Sequence, residues 1–160
     1  SQYFAAAVGE VNVVEKMKEC NAQIGGEGNG GIIYPPLHYG RDSLVGIALF
    51  LTYLAKLKIV NSDINVSSLR ANYPNYFMAK EKIDLSASAD IDKLLNRVAD
   101  NYNKENVNRV DGVKIDFEDK WVHLRKSNTE PIIRIYTEAK SREEADDLAV
   151  NFVSELKKIS

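Results

Sequence analysis

The chain has 160 residues, 44% of them apolar, and a formal net charge of −2. That length holds one large domain or two small ones, with enough apolar residues for a real core. The near-neutral charge gives no footprint for a nucleic-acid or membrane-surface partner, and the single cysteine, Cys20, excludes an internal disulfide.

One cysteine fits a reducing compartment, and a cytoplasmic location is expected. The opening "SQYFAAAVGE" lacks the basic and long apolar segments of a secretory leader. The longest apolar stretch, residues 44–55, falls short of the ~20 residues a membrane helix needs, so no membrane partner is expected.

In chain order, "EVNVVEKMKEC" places Val13, Met17 and Cys20 at helical spacing. "AQIGGEGNGGIIYP" reads as a short strand, a glycine loop and a second strand of Ile32, Ile33 and Tyr34. In "PPLHYGRD" the chain turns, with Asp42 or Ser43 as helix N-cap and Arg41–Asp42 as an ion pair at the helix start. Residues 44–58 are apolar nearly all round, which predicts a buried helix. The stretch that follows, through Pro74, is polar and irregular. A domain boundary is placed there, giving units 1–70 and 71–160.

The second unit starts with a strand, "YFMAKEKIDL", then a helix with Ile91, Leu94, Leu95 and Val98 on one side. "VNRVDGVKIDFED" predicts a strand around an Asp111–Gly112 turn. "KWVHLRK" and "IIRIYTEA" predict two more strands. The last helix opens with the capping box of Ser141 and Glu144 and carries Leu148, Phe152 and Leu156 on one face. The expected fold is thus α/β plus α+β: a first part whose sheet is incomplete at its N-terminal side, then a four-stranded, mainly antiparallel sheet with two helices.

Two loops concentrate polar chemistry. "GGEGNGG", residues 25–31, presents Glu27 and Asn29 on an otherwise bare backbone. One is an acceptor and the other an acceptor with two donors, an inventory that suits a polyhydroxylated ligand. A tight solvated turn is the alternative reading. "RKSNTEPIIR", residues 125–134, gathers Arg125, Ser127, Asn128, Thr129 and Arg134 between two strands. Small polar residues in a turn can aim backbone N–H groups at an anion, and arginine adds a planar fork that matches phosphate. Ser127 and Glu130 also match a capping box, but Pro131 argues against a helix there. Phosphate binding and a plain hairpin loop both stand on these residues alone.

"RKSNTEPIIRIYTEA" closely resembles the C-terminal phosphate-binding loop of the α-D-phosphohexomutases, Arg-x-Ser-(Gly/Asn)-Thr-Glu-Pro-x-x-Arg. "GGEGNGG" with the following "HYGRD" is similar to that family's sugar-binding loop, in the same order and at the same spacing. The resemblance covers essentially the whole chain and corresponds to the end of the family's domain 3 and all of domain 4. It implies an isomerase acting by intramolecular phosphotransfer, which interconverts hexose 1-phosphates and 6-phosphates through a hexose 1,6-bisphosphate.

Residue by residue, the resemblance implies that Glu27 and Asn29 contact sugar hydroxyls. It implies that Arg125, Ser127, Asn128, Thr129 and Arg134 hold the distal phosphate of a phosphorylated hexose. The family's phosphoserine and its Mg²⁺ loop of Asp-Gly-Asp type belong to domains 1 and 2, and neither motif occurs in this sequence. The chain is therefore expected to bind without catalytic or metal-ligating residues of its own, with the missing domains as partners. A non-catalytic sugar-phosphate-binding module is the competing reading. One departure stands out: the sugar-loop histidine of many bacterial members falls on Gly31, and His38 is not that position.

Overall fold

The computed structural model describes residues 2–86, 90–127 and 129–159. Backbone packing divides the chain into two units, Ser1–Pro74 and Asn75–Ser160. This break lies four residues beyond the one expected at 70/71: after a short helix that ends at Arg70, turns tie Asn72 to Leu69 and Tyr73 to Arg70.

In the first unit, α1 (Glu10–Glu19) has an acid in its first turn and Lys16 and Lys18 in its last, matching the helix dipole. Met17 is its buried residue, and Cys20 caps its end. The predicted strand before the glycine loop shrinks to β1 (Gly25–Gly26), which pairs antiparallel with β2 (Ile32–Ile33). Tyr34 forms an isolated bridge to His38 instead of extending β2.

Helix α2 (Ser43–Val60) is capped by Asp42, whose carboxylate accepts the Leu44 and Val45 N–H groups at 2.8 and 3.1 Å. Burial of this helix was expected, yet none of its residues is buried. Leu44, Ile47 and Leu51 are each more than half exposed. The cause is the small sheet beside it. Two strands of two residues cannot cover an apolar helix, and α2 meets them closely where Gly46 lies against Ile32. By length and composition alone α2 could cross a membrane, with a mean hydropathy of 1.8 over 18 residues. A buried core helix passes the same test. Helix α3 (Val66–Arg70) replaces the irregular stretch. It is held by a reciprocal cap in which Asn65 and Ser68 each accept the other's backbone N–H at 2.9 Å.

The second unit is an antiparallel sheet of order β3-β7-β6-β5-β4, with helices on one face. Its strands are β3 (Phe77–Asp84), β4 (Asn106–Asn108), β5 (Val113–Asp116), β6 (Trp121–Lys126) and β7 (Ile132–Ala139). The sheet has five strands where four were expected. The Asp111–Gly112 turn separates two short strands, and β4 is an edge of three residues, two of them asparagine, a poor strand former.

Helices α4 (Ile91–Asn101) and α5 (Arg142–Ile159) cover the core. Leu94, Leu95, Val98, Leu148, Phe152 and Leu156 meet Val113, Ile115, Val122, Leu124, Ile133 and Ile135 there. Ala79, Ala139, Ala145 and Ala149 form a second cluster whose small side chains let α5 approach the sheet closely. At that contact the fully buried Thr137 hydroxyl donates to the Ala145 carbonyl at 2.7 Å. Tyr102 stacks on Phe152 with ring centroids 5.2 Å apart and donates its hydroxyl to Glu155 at 2.8 Å. Burial first, then that carboxylate, push its phenol up to about 12.

Strand alternation sends the core residues of β6 and β7 to the helix face. The opposite face receives Trp121, His123 and Arg125 from β6 and Arg134, Tyr136 and Glu138 from β7.

Candidate functional site

The glycine stretch is a hairpin tip. Glu27 N–H donates to Gly31 O at 3.2 Å, and Gly30 N–H donates to Glu27 O at 3.1 Å. Glu27 sits at the base of the tip, its side chain only 16% exposed. One carboxylate oxygen accepts the Gly9 N–H at 3.0 Å; the other lies 3.8 Å from an Arg41 terminal nitrogen. Asn29 stands at the tip with its side-chain oxygen accepting the Gly31 N–H at 3.0 Å. Its amide NH2 thus remains on offer.

Arg41 does not pair with Asp42 as expected. Its Nε donates to Glu10 at 2.9 Å and its backbone N–H to the same carboxylate at 3.1 Å, while Asp42 is occupied in capping α2. The Arg41 stem crosses the hairpin so closely that a Cβ at residue 31 would lie 2.7 Å from its Cδ. Gly31 is bare because that space is filled. His38 accepts the Gly40 N–H at Nδ1 and faces Asp42 through Nε2 at 3.3 Å, so it belongs to the turn before α2.

The hydrogen bonds here favour the charged carboxylates. The Arg41 backbone N–H, then its side chain, hold Glu10 below its ordinary 4.5. The Val45 N–H leads the groups that hold Asp42 below 3.8. Depressed carboxylate values contribute stability that is complete above the unfolded values and is lost as pH falls through the folded ones. The first unit is expected to lose stability below about pH 4. Helical signal followed from pH 6 to pH 2 checks this, and Glu10→Gln should flatten the decline.

The second loop, residues 127–131, joins β6 to β7. Ser127 N–H donates to Ile132 O at 3.0 Å, closing it, and the Ser127 and Thr129 hydroxyls lie 3.3 Å apart. Asn128 lies outside the described residues. Below the loop, Arg125 and Arg134 are direct cross-strand partners, and Lys82 of β3 is the partner of Arg134 on its other side. Arg134 is exposed between the buried Ile133 and Ile135, on the face opposite them as strand alternation requires. It has no ion-pair partner among the described residues, whereas Arg125 is paired with Asp111 at 3.0 Å. Like charges placed directly opposite destabilise a sheet, and an anion between them would relieve that.

Residues 1–76 match the family model "Phosphoglucomutase/phosphomannomutase, alpha/beta/alpha domain III", and residues 79–155 match "Phosphoglucomutase/phosphomannomutase, C-terminal domain". The chain belongs to the phosphoglucomutase/phosphomannomutase family. It is 39% identical over 154 residues to the phosphoglucosamine/phosphogalactosamine mutase of Sulfurisphaera tokodaii, covering 95% of this chain and 32% of that protein. It is also 39% identical over 140 residues to the phosphoglucomutase/phosphomannomutase of Thermococcus kodakarensis, covering 86% of this chain and 29% of that one. Among solved structures, a phosphoglucomutase/phosphomannomutase family protein from Burkholderia thailandensis superposes with a TM-score of 0.72 at 25% identity, over 94% of this chain and 31% of that one. The chain thus spans about a third of the length of these relatives.

Within the phosphoglucomutase/phosphomannomutase frame, three residues around the loops were not singled out from sequence for contacts with the loop side chains: Glu10, Arg41 as a partner of Glu27, and Asp111 as a partner of Arg125. Glu10 and Glu27 are far apart in sequence, and no local pattern announces their shared arginine. The Asp-Gly pair was visible as a turn, and its carboxylate was the available signal.

Proposed function

We propose that this chain supplies the sugar and distal-phosphate grip of a cytoplasmic phosphohexomutase, an isomerase that interconverts hexose 1-phosphate and 6-phosphate through a bisphosphorylated intermediate. The observation that carries the reading is the direct pairing of Arg125 with Arg134 beneath a loop of clustered hydroxyls. Two guanidinium groups suit a phosphate dianion, because charge-assisted hydrogen bonds are roughly twice as strong as neutral ones. Ser127, Thr129 and Asn128 would add neutral donors. Glu27 and Asn29 would take the sugar hydroxyls, a grip that tolerates a ring bound in either direction. Glucosamine phosphate is the leading substrate, since mutases of that name are among the relatives.

The phosphoryl donor and the Mg²⁺ site would come from residues outside this chain. The chemistry proposed for this chain itself is binding. Titration of the 160-residue chain with glucosamine 1-phosphate should give saturable binding. With Mg²⁺ and a hexose 1,6-bisphosphate added it should give no 1-to-6 conversion. Absence of binding, or measurable conversion, would overturn the proposal.

A further inference from the structure

The Asp111–Gly112 turn has no role in the proposed phosphate grip, yet it is built against Arg125. Gly112 has φ +72°, and a Cβ there would lie 2.2 Å from the Leu124 carbonyl oxygen and 3.2 Å from the Arg125 Cα. Only glycine combines that left-handed backbone with such an approach. The turn is thereby pressed onto the strand at the residue that carries the guanidinium. Two contacts fix it further. His123 Nε2 lies 2.5 Å from the Asp111 carbonyl oxygen, and the Asp111 carboxylate takes the Arg125 Nε–H at 3.0 and 3.2 Å to its two oxygens. Both side chains are about three-quarters buried.

We infer that Asp111 is a positioning residue for anion recognition, which holds Arg125 by its Nε so that the two terminal nitrogens are aimed beside Arg134. The inference rests on the proposed phosphate grip. Its chemistry follows from the guanidinium fork. Arginine has five N–H donors in fixed geometry. One is consumed by Asp111, and the side chain, which otherwise samples many rotamers, is ordered before the ligand arrives. The alternative is pure charge. A carboxylate beside an anion site repels the anion, so on Coulomb's law alone its removal strengthens binding. Positioning and charge therefore predict opposite signs for the same substitution.

The test measures inorganic phosphate affinity of the 160-residue chain and its Asp111→Ala and Asp111→Asn variants, together with the exchange rate of the Arg125 Nε–H by nitrogen-15 NMR. Asp111→Ala is expected to weaken phosphate binding about tenfold, the lower end for a hydrogen bond to a charged group, and to speed Nε–H exchange. Asp111→Asn keeps an oxygen that can accept the Nε–H and should stay within about threefold of the parent. Tighter binding by either variant, or unchanged affinity and exchange in Asp111→Ala, overturns the inference. Should Asp111→Ala fail to fold, Asp111→Asn decides: parent-like affinity supports positioning and tighter binding overturns it. A parent chain that binds no phosphate defeats the proposed function instead. The exchange rate of the Arg125 Nε–H, slow in the parent and fast in Asp111→Ala, then still decides whether Asp111 holds Arg125.

Discussion

Arg134→Ala is expected to weaken binding of a hexose 1-phosphate by about 1.5–3 kcal/mol, the range for hydrogen bonds to charged groups, or roughly 10- to 150-fold. The melting temperature should stay level or rise. Arg134 stands between Lys82 and Arg125 in one row across three strands, with no ion-pair partner among the described residues. Removing it relieves repulsion and leaves no buried acid stranded. Arg125→Ala differs, because it breaks the largely buried ion pair with Asp111 and should lower stability as well as affinity. Calorimetric titration beside thermal melts separates the two effects. Unchanged affinity in Arg134→Ala, or its outright unfolding, would make this arginine a structural residue.

The second large effect concerns the core. Phe152→Ala is expected to destabilise the second unit by about 3–5 kcal/mol, the usual cost of emptying an aromatic site. Phe152 is 2% exposed, lies among residues from both helices and the sheet, and carries the Tyr102 ring at 5.2 Å. Small domains have only about 5–15 kcal/mol of stability in total, so the variant should lie near the edge of folding. Trp121 is the single tryptophan of the chain and lies within this unit, so its fluorescence in a urea titration reports this unfolding directly. Phe152→Leu fills part of the void and should lose less. A loss below about 1 kcal/mol for the alanine variant would mean the site collapses around the deletion.

The second unit was legible because its patterns are local and strong. Period-two alternation in "WVHLRK" and "IIRIYTEA" fixes which residues face the helices, and the Ser141 cap marks the start of α5. The edge strand β4 was not legible, since one valine between two asparagines is too short an alternation to read. In the first unit, the nearly all-round apolar composition of α2 predicted a helix correctly but burial wrongly. Hydropathy reports what a helix requires of its surroundings, and two-residue strands do not supply it. The site was legible in part: the arginines and hydroxyls of the second loop are contiguous in sequence. The partnerships of Arg41 with Glu10 and of Arg125 with Asp111 join residues from separate elements, and only the folded chain brings them together.

The facing arginines also bear on the order in which the sheet is assembled. Strands β6 and β7 are joined by five residues, so they can zip together long before β7 finds β3, whose ladder begins at Phe77. Loop-closure entropy places that hairpin among the early pairings, beside the β5–β6 hairpin with its four-residue connection. Its register, however, sets Arg125 against Arg134 near the closed end, so an early pairing event brings two cations together in water. Counter-ions that screen the pair should ease that step. The residues proposed to hold an anion are thus also expected to make this unit's folding speed answer to the salts around it.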